Sequence, residues 1–314
     1  MEIQGYDISR VYIQAIQAIR EKGAIQRDTR EIVGLSLVIE TPQARILSHP
    51  VRRLDLPVVM LAALMAVAGS GPFPGIVVHD PLISDVRELY CGYGIRLRGG
   101  ERGIDQVVAV RRRITRETLT RQAVVVVFFP EDHNLDSPPF QSPPCPVSFQ
   151  FLVREGSLHM VSFIRSQSIV ALFPYDFFIL TFLQESLAVD LGLDLGKYHQ
   201  YIGSAHYYDA ERDIVGHLLG SSHDVRAVSM PPMPRGVSPF EVVREIVECV
   251  LPAARQGALE NAYALLSQVP TYWQHIGGLA MLGLPMPHAD KERILRTLPI
   301  YYQKLVADKR REWK

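Results

Sequence analysis

The run LPVVMLAALMAVA, residues 56–68, has neither a charge nor a polar side chain. A helix that is apolar all round has no face for water, so it must sit inside a membrane or at the centre of a core. This one is followed at once by GSGPFPG and then IVV. Its unbroken part is about the shortest that spans a bilayer, and the break predicts a buried helix, a turn and a strand in a soluble chain. FFILTFLQESLAVDLGL, from Phe177, makes the same demand and ends in the glycine-rich LGLDLG. Two such helices need a large cover. With 47% apolar residues in 314, the chain has the material for it.

Much of that cover is predicted to be sheet. GLSLVIET, from Gly34, alternates and carries β-branched residues. AVVVVFF, 123–129, is apolar throughout and reads as a strand covered on both faces. VSFQFLV and HMVSFI, joined through Arg154-Glu155-Gly156-Ser157, read as a hairpin with a short glycine-containing loop. HQYIGSAHYY reads as a further strand. Near the N-terminus, Ile8, Val11, Tyr12, Ala15, Ile16 and Ile19 recur at helical spacing up to Gly23. SMPPMPRGVSP, 229–239, marks a boundary by its prolines. Beyond it SPFEVVREIVECVL opens with a Ser-Pro cap and Glu241, and all that follows is helical. The expectation is an α+β fold. A mixed β-sheet body with packed helices spans 1–228, and a helical C-terminal extension over 229–314 packs on the same domain.

Charge excludes one class of partner. Lysine plus arginine number 33 and aspartate plus glutamate 33, so no basic field exists to hold a nucleic-acid polymer. Arg111-Arg112-Arg113 reads as a local anion site or as solvated helix surface. Cys91, Cys145 and Cys249 are odd in number, far apart and without CxxC or Cys/His ligand spacing. Neither a disulfide framework nor a structural zinc site is expected, and a reducing cytoplasm is the simple reading. MEIQGYDISRVYIQAI is too polar for a signal peptide.

Cys145 stands in SPPCPVSFQF, between prolines and at the mouth of a strand. Proline on both sides restricts the backbone and withholds amide donors, which suits a presented nucleophile and equally an ordinary Pro-rich loop. Three further pieces follow. FIRSQS puts Arg165 and Ser166 at the end of the hairpin's second strand. FPYDFF puts Asp176 at the start of the apolar helix, and GSAHYY puts His206 and Tyr208 in the next strand. Each has a plain reading as well: Arg165 as a carboxylate's partner, Asp176 as a helix cap, His206 as a satisfied core histidine.

In this order and spacing the four pieces resemble the thymidylate synthase family. Pro144-Cys145 precedes a strand, and Arg165-Ser166 follows twenty residues on. Pro174-Tyr175-Asp176 stands where the family has Pro-Phe-Asn, and Gly203-Ser204-Ala205-His206-Tyr207-Tyr208 where it has Gly-Asp-x-His-x-Tyr. Tyr93-Gly94-Ile95-Arg96-Leu97-Arg98 looks like its Tyr-Gly-x-x-x-Arg element, and Thr120-Arg121-Gln122 like its Arg-Arg pair. The likeness covers roughly residues 7–213.

The resemblance implies a thymidylate synthase-like fold, a homodimer and covalent catalysis on a pyrimidine nucleoside monophosphate. Cys145 would add as a thiolate to C6 and make C5 nucleophilic toward a one-carbon electrophile, with 5,10-methylenetetrahydrofolate as donor. Cys145, Tyr93 and Arg165 are the implied catalytic residues. Arg165, Ser166, Arg30 (or Arg27) and Arg121, reaching across the dimer, would hold the phosphate. Asp176 would meet the base, and His206 and Tyr208 the sugar. A thiol is mostly protonated at neutral pH unless a cation is near. Arg165 is the candidate cation, and its fork suits a dianion's oxygens.

Asp176 is the most informative departure. The family's asparagine donates and accepts at the O4/N3 edge of uracil, whereas an ionised carboxylate only accepts, as the 4-amino group of cytosine requires. An unpaired buried donor or acceptor costs about 1–3 kcal/mol, enough to reverse a base preference. The exchange points to CMP or dCMP, as in the cytidylate hydroxymethylases of this superfamily. Other departures erode the folate half. The family's glutamate falls on Ala62, with no nearby acid to replace it: Asp55 lies on another turn and Asp80 follows the break. The folate-contacting aspartate falls on Ser168, a glycine near the folate on Leu172, and both tryptophans, Trp273 and Trp313, lie in the extension. Three functions stand: a CMP or dCMP 5-hydroxymethylase, an enzyme using the C6 adduct for folate-independent chemistry on a cytosine nucleotide, and a non-catalytic nucleotide-binding relative.

Overall fold

The computed structural model describes residues 1–71, 75–80, 82–83, 93–99, 103–133 and 143–307. Cys91 and Trp313 lie outside the described residues. The chain is α+β, as the sequence predicts. Its main sheet is built from β1 (Glu2–Gly5), β2 (Ala24–Gln26), β3 (Thr29–Ile39), β8 (Val124–Val126), β9 (Pro146–Arg154), β10 (Ser157–Ser168) and β11 (Asp194–Tyr208). They lie in the order β1-β3-β11-β10-β9-β8, with β2 on β3. β1 is parallel to β3 and β10 to β11, and the other pairs are antiparallel. Two small sheets flank it: β4 (Ile46–His49), β5 (Arg52–Arg53) and β12 (Arg226–Val228) form one, β6 (Arg98–Gly99) and β7 (Ile104–Asp105) the other.

The β9–β10 hairpin turns at Glu155 and Gly156, both at positive φ (51° and 77°), the backbone that a two-residue primed turn demands. The sequence misreads β8. Val125 is buried, but Val124 and Val126 are each 42% exposed, so this is a short edge strand with one wet face. Its apolar run gave no sign of that, because an apolar side chain does not record whether a second layer packs over it.

The predicted buried helix is α2 (Leu56–Ala68), and every residue from Leu56 to Val67 is buried. Asp55 caps it, accepting from the amide of Val58, and Gly69 closes it in the left-handed region at φ 84°. α3 (Tyr93–Leu97) crosses its end so closely that a Cβ on Gly94 would lie 2.6 Å from the carbonyl oxygen of Met65. α1 (Ile8–Lys22) packs on β3, and α4 (Gln106–Arg116) carries Arg111, Arg112 and Arg113 on an exposed face. α5 (Phe173–Asp190) is buried from Phe173 to Ala188 and lies between α2 and the inner face of β10 and β11.

After α6 (Arg212–Gly220) the chain runs through the proline-rich segment into α7 (Pro239–Glu245). A π-helical turn (Ile246–Val250) joins α7 to α8 (Leu251–Arg255), followed by α9 (Leu259–Leu266), α10 (Thr271–Met281), α11 (His288–Thr297) and α12 (Ile300–Val306). These helices help to cover α2, which α7, α10 and α12 touch. Trp273 of α10 is fully buried, its ring edge-on to Phe182 of α5 at 6.4 Å. The link is pinned as well. The amide of Met233 donates to Glu185 Oε1 at 3.0 Å, while Arg45 Nη2 meets Glu185 Oε2 at 2.5 Å. Ser238, predicted as a cap, sends its hydroxyl to Asp190 instead, at 2.6 Å. Among the described residues, no helix is long and apolar enough to cross a membrane.

Candidate active site

The last residues of β10 gather most of the predicted site. The amide of Arg165 donates to the carbonyl oxygen of Cys145 at 2.8 Å, so the thiol-bearing residue hangs directly on the strand beside it. Cys145 is half-buried, one residue before β9 begins. Arg165 Nε donates to Pro144 O at 3.0 Å and its Nη2 to Pro143 O at 2.6 Å. The guanidinium is thus a clamp on the Pro-Pro-Cys approach. One residue on, Ser166 pairs with Ser204 of β11, and Ser168 with His206.

Asp176 sits in the first turn of α5 and is 5% exposed. It is not the cap: α5 starts from Leu172 without a side-chain cap, and Asp176 Oδ2 accepts from Gln167 Nε2 at 2.8 Å. Gln167 points inward because the burial pattern changes phase late in the two central strands. The buried set runs Leu158, Met160, Ser162, Ile164 on β10 and Tyr198, Gln200, Ile202 on β11, then moves to Gln167 and to Ala205.

His206 is buried, its ring edge-on to Tyr208 at 5.2 Å. Burial holds its imidazole below the ordinary value, so at neutral pH it is a neutral hydrogen-bonding group. Tyr208 is half-exposed, and its amide donates to Glu211 at 2.7 Å. His206 pairs with Ser168 in the β10–β11 ladder, three residues along β10 from Arg165, and Tyr208 follows two residues later on β11.

The other predicted residues are placed differently. Arg30 lies on β3, opposite Tyr207, and its Nη1 donates to the carbonyl of Arg20 at the end of α1. Arg27 is exposed at the β2–β3 turn with φ 54°. Arg121 is exposed ahead of β8, and its carbonyl accepts from Gln150 at 2.8 Å. Tyr93 opens α3, but its side chain lies outside the described residues. The two arginines of its motif serve the fold. Arg96 grips Asp132 with two bonds of 2.7 and 2.8 Å. Burial alone would raise the Asp132 carboxyl, but Arg96 and the amide of Phe129 outweigh it and hold the group low. Arg98 pairs with Asp105 at 2.9 Å and lies over the ring of Phe240.

The sequence found no acid to stand in for Ala62, yet the fold brings a buried carboxylate and a buried aspartate amide to one tyrosine. Tyr175 donates its hydroxyl to Asp80 Oδ2 at 2.7 Å and accepts from the amide of Asp55 at 2.9 Å. Arg52 completes the group, 2.6 Å from Asp80 and bonded to the carbonyls of Val170 and Ala171. The signal was Tyr175 itself, a hydroxyl where the motif has phenylalanine. Ala62 is buried in α2, Ser168 accepts from the amide of Ala171 at 3.3 Å in the turn before α5, and Leu172 is half-buried at the head of that helix.

Residues 79–230 match the family model "Thymidylate synthase", a span with every proposed site residue except Arg27 and Arg30. That span is similar to the thymidylate synthase family. Two similar proteins are both named "Putative thymidylate synthase". That of Methanococcoides burtonii is 29% identical over 151 residues, 45% of this chain and 67% of its own. That of Methanosarcina barkeri is 23% identical over 226 residues, 69% of this chain and 94% of its own. The thymidylate synthase of Listeria monocytogenes is 29% identical over 140 residues, 44% of this chain and 43% of its own. The likeness spans the motifs from Tyr93 to Tyr208 in their order and stops short of the C-terminal helices.

Proposed function

We propose that this chain is a cytosine-nucleotide C5 transferase, a CMP or dCMP 5-hydroxymethylase by product. In this reading the Cys145 sulfur forms a bond to C6, and the C5=C6 electrons pass into the ring and emerge as a nucleophile at C5. C5 takes up a one-carbon electrophile at the formaldehyde level, whose carbon receives its hydroxyl from water; the C5 proton leaves to solvent, and elimination breaks the S–C6 bond and returns the thiolate. Arg165 favours the thiolate by its charge and holds the loop that presents it. Ser166 and Arg165 would receive the phosphate, with Arg30; His206 and Tyr208 would receive the sugar.

The observation that carries the base assignment is Asp176, buried and accepting from the amide nitrogen of Gln167, two residues along β10 from Arg165. A carboxylate engaged as an acceptor suits an amino group and repels a carbonyl oxygen.

The residues at the folate positions do not fit that donor as the resemblance draws it. Ala62 offers no carboxylate, the Ser168 hydroxyl is used in its own turn, and Leu172 adds bulk where glycine is implied. No step is therefore drawn through folate. This favours a second reading, in which the same adduct serves folate-independent exchange or substitution at C5.

A homodimer belongs to the proposal. The outer face of the sheet exposes Val33 (78%), Phe163 (40%) and Tyr201 (47%), with the last two rings stacked at 5.5 Å. A second copy would cover this face and bring Arg121 toward the neighbouring phosphate site.

The test is tritium release from CMP and dCMP labelled at C5, with and without methylenetetrahydrofolate, beside Cys145→Ser. Donor-dependent release and a hydroxymethylated product, both lost in Cys145→Ser, support the first reading. Donor-independent release supports the second. Binding without release would leave a nucleotide-binding protein and overturn both.

A further inference from the structure

Behind Asp176 the inner face of the sheet carries a file of polar side chains where apolar ones would pack as well. Ser162, Tyr198 and Gln200 are fully buried and Gln167 is 1% exposed. They form one chain of hydrogen bonds across β10 and β11. Ser162 Oγ donates to the Tyr198 hydroxyl at 2.9 Å, and that hydroxyl to Gln200 Oε1 at 2.7 Å. Gln200 Nε2 donates to Gln167 Oε1 at 3.0 Å, and Gln167 Nε2 to Asp176 Oδ2 at 2.8 Å.

The direction of this chain has a physical meaning. Each amide has one accepting and one donating end, so the choice made at Asp176 sets every link behind it. An ionised carboxylate can only accept, and that requires Gln167 to present nitrogen, Gln200 to present nitrogen to Gln167, and Tyr198 to donate. A protonated Asp176 that donated to Gln167 would reverse all of them. Burial pushes the Tyr198 phenol up, so it stays a donor through the physiological range. Successive donors in a dry interior polarise one another, and a donor to the charged form favours that form.

We propose that Gln167, backed by Gln200, Tyr198 and Ser162, is a positioning residue that fixes Asp176 as an ionised acceptor and so sets the site's preference for an amino-bearing pyrimidine. The preference for cytosine rests on the base assignment above; the fixing of the carboxylate does not. Titratable groups on the elements around the first turn of α5 are Arg165 on β10, Tyr198 and His206 on β11, and Asp55 at the head of α2. The Arg52–Asp80 pair stands behind Tyr175. His159 on β10, and Lys197 and His199 on β11, lie toward the hairpin end of the strands. Glu185 and Asp190 lie further along α5, engaged by Arg45 and Ser238, and the charges of α7 follow Ser238. His49 on β4 is held by Ser221.

The experiment has two arms. In ligand-free protein the 13C-carboxyl titration of Asp176, assigned by its loss in Asp176→Asn, is compared between wild type and Gln167→Leu. In parallel, CMP and UMP affinities are measured by calorimetry from about pH 6 to about pH 8.5, and their ratio cancels the phosphate's own titration. The expected result is that Gln167→Leu moves the Asp176 titration to higher pH. The CMP:UMP ratio then falls by up to roughly tenfold, and falls more at the acid end of that range than at the alkaline end. An unmoved titration overturns the proposal, as does a ratio lowered equally at every pH. If the titration moves but the wild type does not prefer CMP, the cytosine reading fails and the specificity half of this proposal with it. Should Gln167→Leu not fold, Gln200→Leu, one link further out, must move both readouts the same way by less; no movement there overturns the proposal.

Discussion

Arg165 Nη2 lies 2.6 Å from the carbonyl oxygen of Pro143, so the cation beside Cys145 is also the strut of the loop that presents it. Lysine keeps the charge but lacks the rigid planar fork that meets the carbonyls of Pro143 and Pro144 through two separate nitrogens. Arg165→Lys should therefore lower C5-tritium release by about one to two orders of magnitude. Cys145 alkylation should slow at neutral pH, with little change in melting temperature because Arg165 is exposed. Alkylation at the wild-type rate would show that the clamp is idle.

Asp176→Asn replaces an obligate acceptor by a group that both donates and accepts. The CMP:UMP affinity ratio should drop by about tenfold to a hundredfold, the equivalent of one buried polar mismatch. An unchanged ratio would remove Asp176 from base recognition.

The group around Asp80 is expected to support the fold. Asp80→Ala leaves the Arg52 guanidinium buried and unpaired, and should destabilise by about 3–5 kcal/mol in urea. Tyr175→Phe restores the motif's residue but orphans the buried amide of Asp55, at about 1–3 kcal/mol. A neutral Tyr175→Phe would mean that the hydroxyl adds nothing.

Burial holds His159, His199 and His206 below their ordinary value. The unfolded chain therefore takes up protons near about pH 6.5, while the folded chain resists them. Stability from these groups is complete above that pH and is lost as pH falls through it toward the folded values. Burial raises Glu211, which titrates with the opposite sign, so the informative quantity is a difference between variants. The fall in melting temperature between about pH 7 and about pH 5 should be smaller in His199→Gln than in wild type. Equal falls would contradict the assignment.

The exposed Phe163–Tyr201 stack is expected to lie at a contact between copies. Tyr201→Asp would place a charge there, and sedimentation should show a monomer with weakened phosphate binding. A wild-type monomer would refute the contact.

Local pattern was legible in the sequence where local forces decide. The all-apolar run fixed α2 to the residue, and Glu155-Gly156 fixed the hairpin. The motif order found Cys145, Arg165, Asp176 and His206, which the fold places around one end of β10. What escaped depends on partners distant in sequence. The wet face of β8 has no layer packed over it among the described residues. Asp80 meets Tyr175 across 95 positions, and the chain from Ser162 to Asp176 needs two strands and a helix to assemble. Polar residues at inward strand positions were the one trace of it, and alternation alone cannot tell such a residue from a wet one.

The most direct test of the central claim is C5 proton exchange in D2O, followed by NMR on CMP and UMP side by side, with and without methylenetetrahydrofolate. If Cys145 adds to C6 of a cytosine nucleotide, the C5 proton of CMP is lost faster than that of UMP, and Cys145→Ser abolishes the loss. No exchange under either condition, or exchange that survives Cys145→Ser, would contradict the account.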